Sequence, residues 1–400
     1  MKLSIILLIF ISILEYILNI FIKKYKKVKW LITDINLIEK FNKTKFQSFK
    51  KNSYDYFLGW DYKKSSFDYI GSKKINYTIS RFGYRKTLYK KYPNKIKTFG
   101  DSYNFCRQVD DKNTWQEFLS KEQKIFVSNF GVGNYGLDQA FLKYTRTKKK
   151  KIEKIIIFCF VPETICRIQS SWKNYIEFGN IHAFKPYCAL KREKIVIKKN
   201  PLNYKDKFED LKKIINSTKF NDRFYKEKFL KHYLKFPFVF SILKNIKFNF
   251  LLFFGILKHR KSRNLEILNN KIFPIVMKKN IINSHNLYNE KKSKKIFFSL
   301  INKINKKVSK DKKKCLFLVI PQLYDLELSS RSNYENFFKY MSEKVDIIDT
   351  TEKFMNLSNF KKMYINDKYG GHLNKRGNKF IAKIIMEYLN KNANYFKIIK

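Results

Sequence analysis

The chain opens on an unbroken apolar stretch. Leu3 to Ile22 is interrupted only by Ser4, Ser12, Glu15, Tyr16 and Asn19. About 20 apolar residues cross a bilayer as a helix, so residues 1–27 are read as a single-pass N-terminal transmembrane anchor. No small-residue cleavage site follows, which favours retention over removal as a signal. Lys23, Lys24, Lys26 and Lys27 come next. The positive-inside rule would keep that flank, and the domain behind it, in the cytoplasm. Lysine is so frequent throughout the chain that the rule does not discriminate, and the topology stays open. An amphipathic or buried first helix is the alternative reading.

Further along, short apolar runs are separated by helix-sized intervals. Ile96–Phe99, Lys124–Asn129, Ile155–Phe160, Cys315–Ile320 and Val345–Ile348 read as strands. Ile155–Phe160 is apolar at every position, as expected of a central parallel strand buried on both faces. Asn113–Leu119 and Leu137–Thr147 read as helices. A last helix begins near Lys375, with Phe380, Ile381, Ile384, Ile385 and Tyr388 at helical spacing. Strands alternating with helices predict an α/β fold, a three-layer α/β/α sandwich around a five-stranded parallel sheet.

The sheet-forming parts are residues 91–165 and 311–395. Residues 28–90 are polar and aromatic and read as an N-terminal extension packed on that domain, with Ser80–Arg85 as a turn near the first strand. Residues 166–310 break the pattern and read as a helical insertion or lid. Within them Phe236–Leu257 carries Phe238, Phe240, Phe248, Phe250, Phe253 and Phe254, interrupted by Lys244 and Lys247. A lid helix, a buried helix pair and an interfacial membrane helix all fit this stretch.

Charge changes the picture less than its size suggests. Lys and Arg number 85 against 33 Asp and Glu, a formal net charge of +52. Such a balance invites a nucleic-acid reading. The lysines are spread evenly and mixed with Ile, Asn, Phe and Tyr, as an A/T-rich genome would produce, so no specific nucleic-acid partner is expected. The five cysteines are scattered with no CxxC pair, which excludes a zinc ribbon or dithiol redox motif. Cys166 and Cys188 would pair only in an oxidising compartment, which the sequence does not specify. No His/Cys/carboxylate cluster has metal-ligand spacing, and no cofactor is implied.

Glycine is more informative. Of 12 glycines, seven fall in three segments: Gly100; Gly131, Gly133 and Gly136; and Gly370, Gly371 and Gly377. Glycines concentrated after strands mark turns that need positive φ or close backbone approach, where open α/β sheets build their sites. The first segment is Gly100-Asp101-Ser102. The last contains Asp367-Lys-Tyr-Gly-Gly-His372-Leu-Asn374. Together they supply a hydroxyl, a base and a carboxylate to orient the base.

In these motifs the chain resembles the SGNH (GDSL-type) hydrolase family. The resemblance covers roughly residues 80–165 and 314–390. It implies a flavodoxin-like sandwich with Ser102 as nucleophile, His372 as general base and Asp367 as its orienting acid. The Ser102 N–H and a backbone N–H at Gly133 or Asn134 would hold the oxyanion. Asp101 is expected to hold the turn rather than react. Three departures stand out. The family's glycine in the second block falls at Gly133 or Asn134. Its Asn-Asp third block is replaced by Pro162-Glu163-Thr164, followed by Arg167. Asp367 precedes His372 by five residues instead of three, so Asp349 is held in reserve for orienting the base. An ionised Glu163 cannot donate to an oxyanion, and losing one such donor costs ~2.7–4 kcal/mol of transition-state stabilisation. Thr164 or a backbone amide would have to substitute, or Glu163 simply pairs with Arg167.

The resemblance implies a serine-dependent ester hydrolase or O-acyltransferase. Its substrate would be an acylated small molecule, envelope glycan or lipid, and an extracytoplasmic domain is favoured. The alternative is a catalytically degenerate domain that binds glycan or scaffolds at the membrane.

Overall fold

The computed structural model describes residues 2–33, 42–63, 67–70, 73–177, 182–365, 371–392, 395, 397 and 398. The chain divides into two units. One comprises Met1–Lys51, Ser170–Phe184 and Pro201–Asn280. The other comprises Asn52–Gln169, Lys185–Asn200 and Ile281–Lys400. The 166–310 stretch is thus shared: residues 170–184 and 201–280 belong to the first unit, while residues 166–169, 185–200 and 281–310 belong to the second.

The second unit is built on five parallel strands. In chain order its sheet and principal helices are β1 (Asn94–Gly100), α1 (Ser102–Phe105), α2 (Trp115–Gln123), β2 (Phe126–Asn129), α3 (Leu137–Arg146), β3 (Ile155–Phe160), α4 (Lys291–Lys310), β4 (Lys314–Val319), α5 (Ser332–Ser342), β5 (Ile347–Asp349) and α6 (Lys375–Lys391). The strands are ordered β2-β1-β3-β4-β5, and all neighbours run parallel. This is the doubly wound order whose strand sequence reverses beside β1, with the crevice at the carboxyl ends of β1 and β3.

Side-chain alternation along β3 divides the core in two. Ile156, Phe158 and Phe160 face α3, α4 and α5, through residues such as Phe141, Phe297, Leu300 and Phe338. Ile155, Ile157 and Cys159 face α2 and α6, through Trp115, Leu119, Ile381 and Ile385. The result is the expected three-layer sandwich. Strand boundaries differ from the sequence reading by one or two residues. Lys124 takes φ 50° as the C-cap of α2 and so cannot start β2, and β5 begins at Ile347 and ends on Asp349. Thr114 caps α2 by accepting the Glu117 N–H. All five cysteines, Cys166 and Cys188 included, are buried thiols outside any disulfide.

Residues 52–90 supply the sheet unit with two short antiparallel ladders, a turn and one decisive side chain. Gly83 takes φ 81° in the Ser80–Arg85 turn, and Arg85 bridges to Asn129 at the end of β2. The Arg85 side chain runs inward, fully buried. Its guanidinium donates to Asp111 Oδ1 and to the carbonyls of Phe105, Cys106 and Val109. The Phe105 and Cys106 carbonyls lie at the end of one-turn helix α1, and Val109 closes the turn that follows it.

In the first unit the N-terminal helix runs Lys2–Tyr25. Among the described residues it is the one helix long and apolar enough to cross a membrane. Helices Leu211–Asn221, Phe238–Leu243 and Ile246–Lys258 follow within the same unit. Trp30 donates its indole N–H to the Asn269 carbonyl. Asp222 is buried and accepts both the Ser170 and Ser171 hydroxyls.

Candidate active site

The turn that presents Ser102 is fixed from three sides. A Cβ on Gly100 would lie 1.9 Å from the Cys159 carbonyl oxygen, so only glycine lets β1 run against β3 here. The next residue, Asp101, caps α1 by accepting the Tyr103 N–H at 2.9 Å. Its other oxygen accepts the Val161 N–H at 3.1 Å, which ties the turn to the end of β3. Arg85 then closes the far end of α1. Ser102 therefore stands at the first position of a short, clamped helix. No acceptor takes its N–H among the described residues.

His372 reaches this serine from the other end of the chain. Gly371 takes φ 77°, and a Cβ there would meet Leu323 at 2.6 Å. The Ile365 N–H donates to the His372 carbonyl at 2.7 Å, and Tyr364 bridges to Leu373. Asn374 caps α6 by accepting the Arg376 and Gly377 N–H groups. The Tyr103 hydroxyl donates to the Gly371 carbonyl at 2.8 Å, and the Tyr103 ring stacks on the imidazole. So held, His372 Nε2 lies 2.8 Å from Ser102 Oγ. Burial, then the Arg107 and Arg167 charges, lower the His372 pKa well below its ordinary value. The imidazole is neutral at pH 7, the form that can accept a proton.

Asp367 lies outside the described residues. Asp349, the reserve, is engaged elsewhere: its Oδ1 accepts the Thr351 N–H at 3.0 Å and the Thr351 hydroxyl at 2.6 Å. Burial raises its pKa to about 6, against the lowering effect of the Thr351 bonds.

The loop after β2 crosses the same crevice. Val132 N–H donates to the Gly100 carbonyl at 3.0 Å. Gly131 passes so close to α1 that a Cβ would lie 2.4 Å from the Phe105 nitrogen. Asn129 stiffens the crossing: its Oδ1 accepts from Gly131 N–H and Asn104 Nδ2, and its Nδ2 donates to the Asn104 carbonyl. The Gly133 N–H points to the Tyr62 hydroxyl at 3.3 Å, and the Gly133 carbonyl accepts the Trp60 indole. Asn134 takes φ 68°, the conformation expected where a glycine is replaced. Its own N–H has no acceptor among the described residues.

Glu163 and Thr164 follow β3. Glu163 is buried and pairs with Arg167 at 2.6 Å, while the Arg167 Nη1 reaches Asp101 at 3.5 Å. Thr164 Oγ1 accepts the Leu137 N–H at 2.9 Å, at the start of α3. Both side chains thus have structural partners at the carboxyl end of the sheet.

Sequence reading missed Tyr62, Tyr103, Arg85 and Arg107. Tyr103 alone carried a signal, as the aromatic residue next to the serine. The others act through contacts that no local pattern announces.

No protein-family model matches this chain, and no curated protein matches it in sequence. Three solved structures to which it is similar share about a tenth of its residues. One is titled a putative lipolytic protein of the G-D-S-L family from Desulfitobacterium hafniense (TM-score 0.33, 10% identity, 74% of this chain and 99% of that one). A second is a member of the lipolytic protein G-D-S-L family from Veillonella parvula (TM-score 0.34, 10% identity, 74% and 98%). A third is a protein from Lactobacillus plantarum (TM-score 0.36, 9% identity, 75% and 98%).

Proposed function

We propose that this chain is a serine-dependent ester hydrolase or O-acyltransferase, held at a membrane by its N-terminal helix and acting on an acylated envelope glycan or lipid. The observation that carries this reading is the 2.8 Å approach of His372 Nε2 to Ser102 Oγ. With the imidazole neutral, Nε2 takes the serine proton as Oγ attacks the ester carbonyl, and returns it to the leaving alcohol. For Nε2 to accept, the imidazole proton must sit on Nδ1, and Asp367 is the group proposed to hold it there. The N–H groups of Ser102 and Asn134 are the proposed oxyanion donors, with Gly133 as the adjacent alternative once Tyr62 releases it. Water then frees the acid, or a sugar hydroxyl takes the acyl group. The cationic chain suits an anionic acceptor.

A second reading has one observation in its favour. Glu163 stands where the family has an oxyanion donor and is committed to Arg167, so one donor is lost. A degenerate domain that binds glycan without turnover fits that loss. The two separate on one experiment: fluorophosphonate labelling of the full chain in detergent, read by intact mass beside Ser102→Ala. A single adduct on the wild type, absent from the variant, is the expected result. No adduct on folded protein moves the assignment to binding.

A further inference from the structure

We infer that the helix pair Phe238–Leu243 and Ile246–Lys258 is itself immersed in the bilayer beside the N-terminal helix, in one leaflet. The inference rests on the anchoring part of the function proposed above, and all the residues concerned lie in the first unit.

Glu15 is the only ionisable carboxylate between Leu3 and Ile22, and a carboxylate in a membrane helix needs a reason. Here it has one. Its two oxygens accept the N–H groups of Phe238 (2.5 Å) and Val239 (2.9 Å). The residue before them, Pro237, offers no side-chain acceptor for the start of that helix. In water such orphan N–H groups are solvated at little cost, whereas in hydrocarbon each must find a partner inside the protein. Glu15 and the Phe238 helix thus answer each other's requirement, and both requirements are strongest in hydrocarbon, where no water competes. The contact also argues for retention of the first helix, because its removal would strip that cap.

The outer surface agrees. Phe240, Leu243, Ile246, Phe250, Phe254 and Leu257 are all exposed, at intervals of three or four residues. This apolar surface adjoins the N-terminal helix, since Phe21 packs on Phe253 with centroids 4.8 Å apart. Soluble surfaces seldom carry so continuous an apolar patch. Depth is consistent as well. From Glu15 to Ile22 the helix rises about 10 Å, and the six residues of Phe238–Leu243 rise about 9 Å. A short helix starting at the depth of Glu15 therefore has the length to regain the headgroup layer at Lys244, where Lys244 and Lys247 are exposed and can snorkel.

The test is photolabelling of the full chain in phosphatidylcholine–phosphatidylglycerol vesicles, using a phospholipid with an acyl-chain diazirine, followed by tryptic mapping. Acyl adducts on residues 236–244 and 248–258, as well as on 4–22, are the expected result. Adducts on 4–22 alone overturn this inference and leave the anchor standing. Adducts on neither remove the anchor and this inference together. Chain-to-chain crosslinks through Phe250 and Phe254 without lipid adducts would identify a second copy as the cover and overturn it too.

Discussion

Tyr103 stacks its ring on His372 at 4.7 Å between centroids while its hydroxyl holds the Gly371 carbonyl at 2.8 Å. One side chain therefore fixes both the plane of the base and the loop that carries it. Tyr103→Phe keeps the stack and loses the hydroxyl. A neutral hydrogen bond contributes about 0.5–1.5 kcal/mol, so kcat on a short aryl ester is expected to fall about 2- to 10-fold with KM unchanged. Tyr103→Leu loses both contacts and should fall further. An unchanged kcat in Tyr103→Phe would show that the hydroxyl does not position the base.

The pH profile should report the lowered pKa of His372. A base whose pKa lies below 6.5 stays neutral into mildly acidic solution, so activity should persist below the ordinary histidine midpoint. Burial is the larger cause and the Arg107 charge the next. Arg107→Gln removes that charge, the pKa rises, and the acid limb of kcat/KM moves to higher pH. The same shift bears on stability. The unfolded histidine binds a proton below about 6.5 and the folded one does not, so stability from the neutral His372 is present above that value and is lost as pH falls towards the folded pKa. A limb at the same pH in wild type and variant would show that Arg107 does not act on the base.

These relationships also mark what the sequence could reveal. The β strands were legible because each holds a short apolar run set off by helix-sized intervals, and Gly100-Asp101-Ser102 because glycine is rare in this chain. His372 was singled out by the glycine-bearing segment Asp367–Asn374 that contains it. Arg85 was not: it lies in a polar extension, and its four acceptors on Phe105, Cys106, Val109 and Asp111 come together only when residues 80–85 cross the end of β2. Asp349 stood in reserve behind Asp367 as a partner for the base because a strand-end carboxylate shows nothing of Thr351, which engages it. The Phe236–Leu257 stretch stayed open between lid and membrane because composition alone does not show that Glu15, more than 200 residues earlier, caps it.

Asp349 offers a test with a clear sign. Its folded pKa of about 6 lies above the unfolded value near 3.9. Between those values the folded chain binds more protons, so the contribution of Asp349 to stability is present below about pH 4 and is lost as pH rises towards 6. Asp349→Asn keeps an oxygen for Thr351 and has no charge to bury. It should be more stable than the wild type at pH 8, by at most about 2–3 kcal/mol, and the difference should shrink towards pH 4. Urea titrations at the two values measure it. Ester hydrolysis should be unaffected by Asp349→Asn.

Asp367→Asn should behave in the opposite way. An amide in place of the proposed orienting carboxylate can stabilise the wrong imidazole tautomer, and the loss in kcat is expected on the order of 10²–10⁴-fold. Folding stability should change little by comparison. Wild-type kcat in Asp367→Asn, with loss in Asp349→Asn, would reverse the two assignments.

Arg167 sits between two buried carboxylates, Glu163 at 2.6 Å and Asp101 at 3.5 Å. Burial raises the Asp101 pKa, and the Arg167 charge is the largest influence holding it down. Arg167→Met leaves both buried carboxylates without their cation, and breaking such a buried pair costs about 3–5 kcal/mol. Part of that cost should return in the double variant Glu163→Gln/Arg167→Met, because one of the stranded charges is then gone. Urea unfolding of the wild type, both single variants and the double variant gives the coupling directly. Asp101 also caps the helix that starts with Ser102, so Arg167→Met should slow fluorophosphonate labelling even where the protein remains folded. Additive single effects, with labelling unchanged, would show that Arg167 neither binds this pair together nor steadies the serine turn.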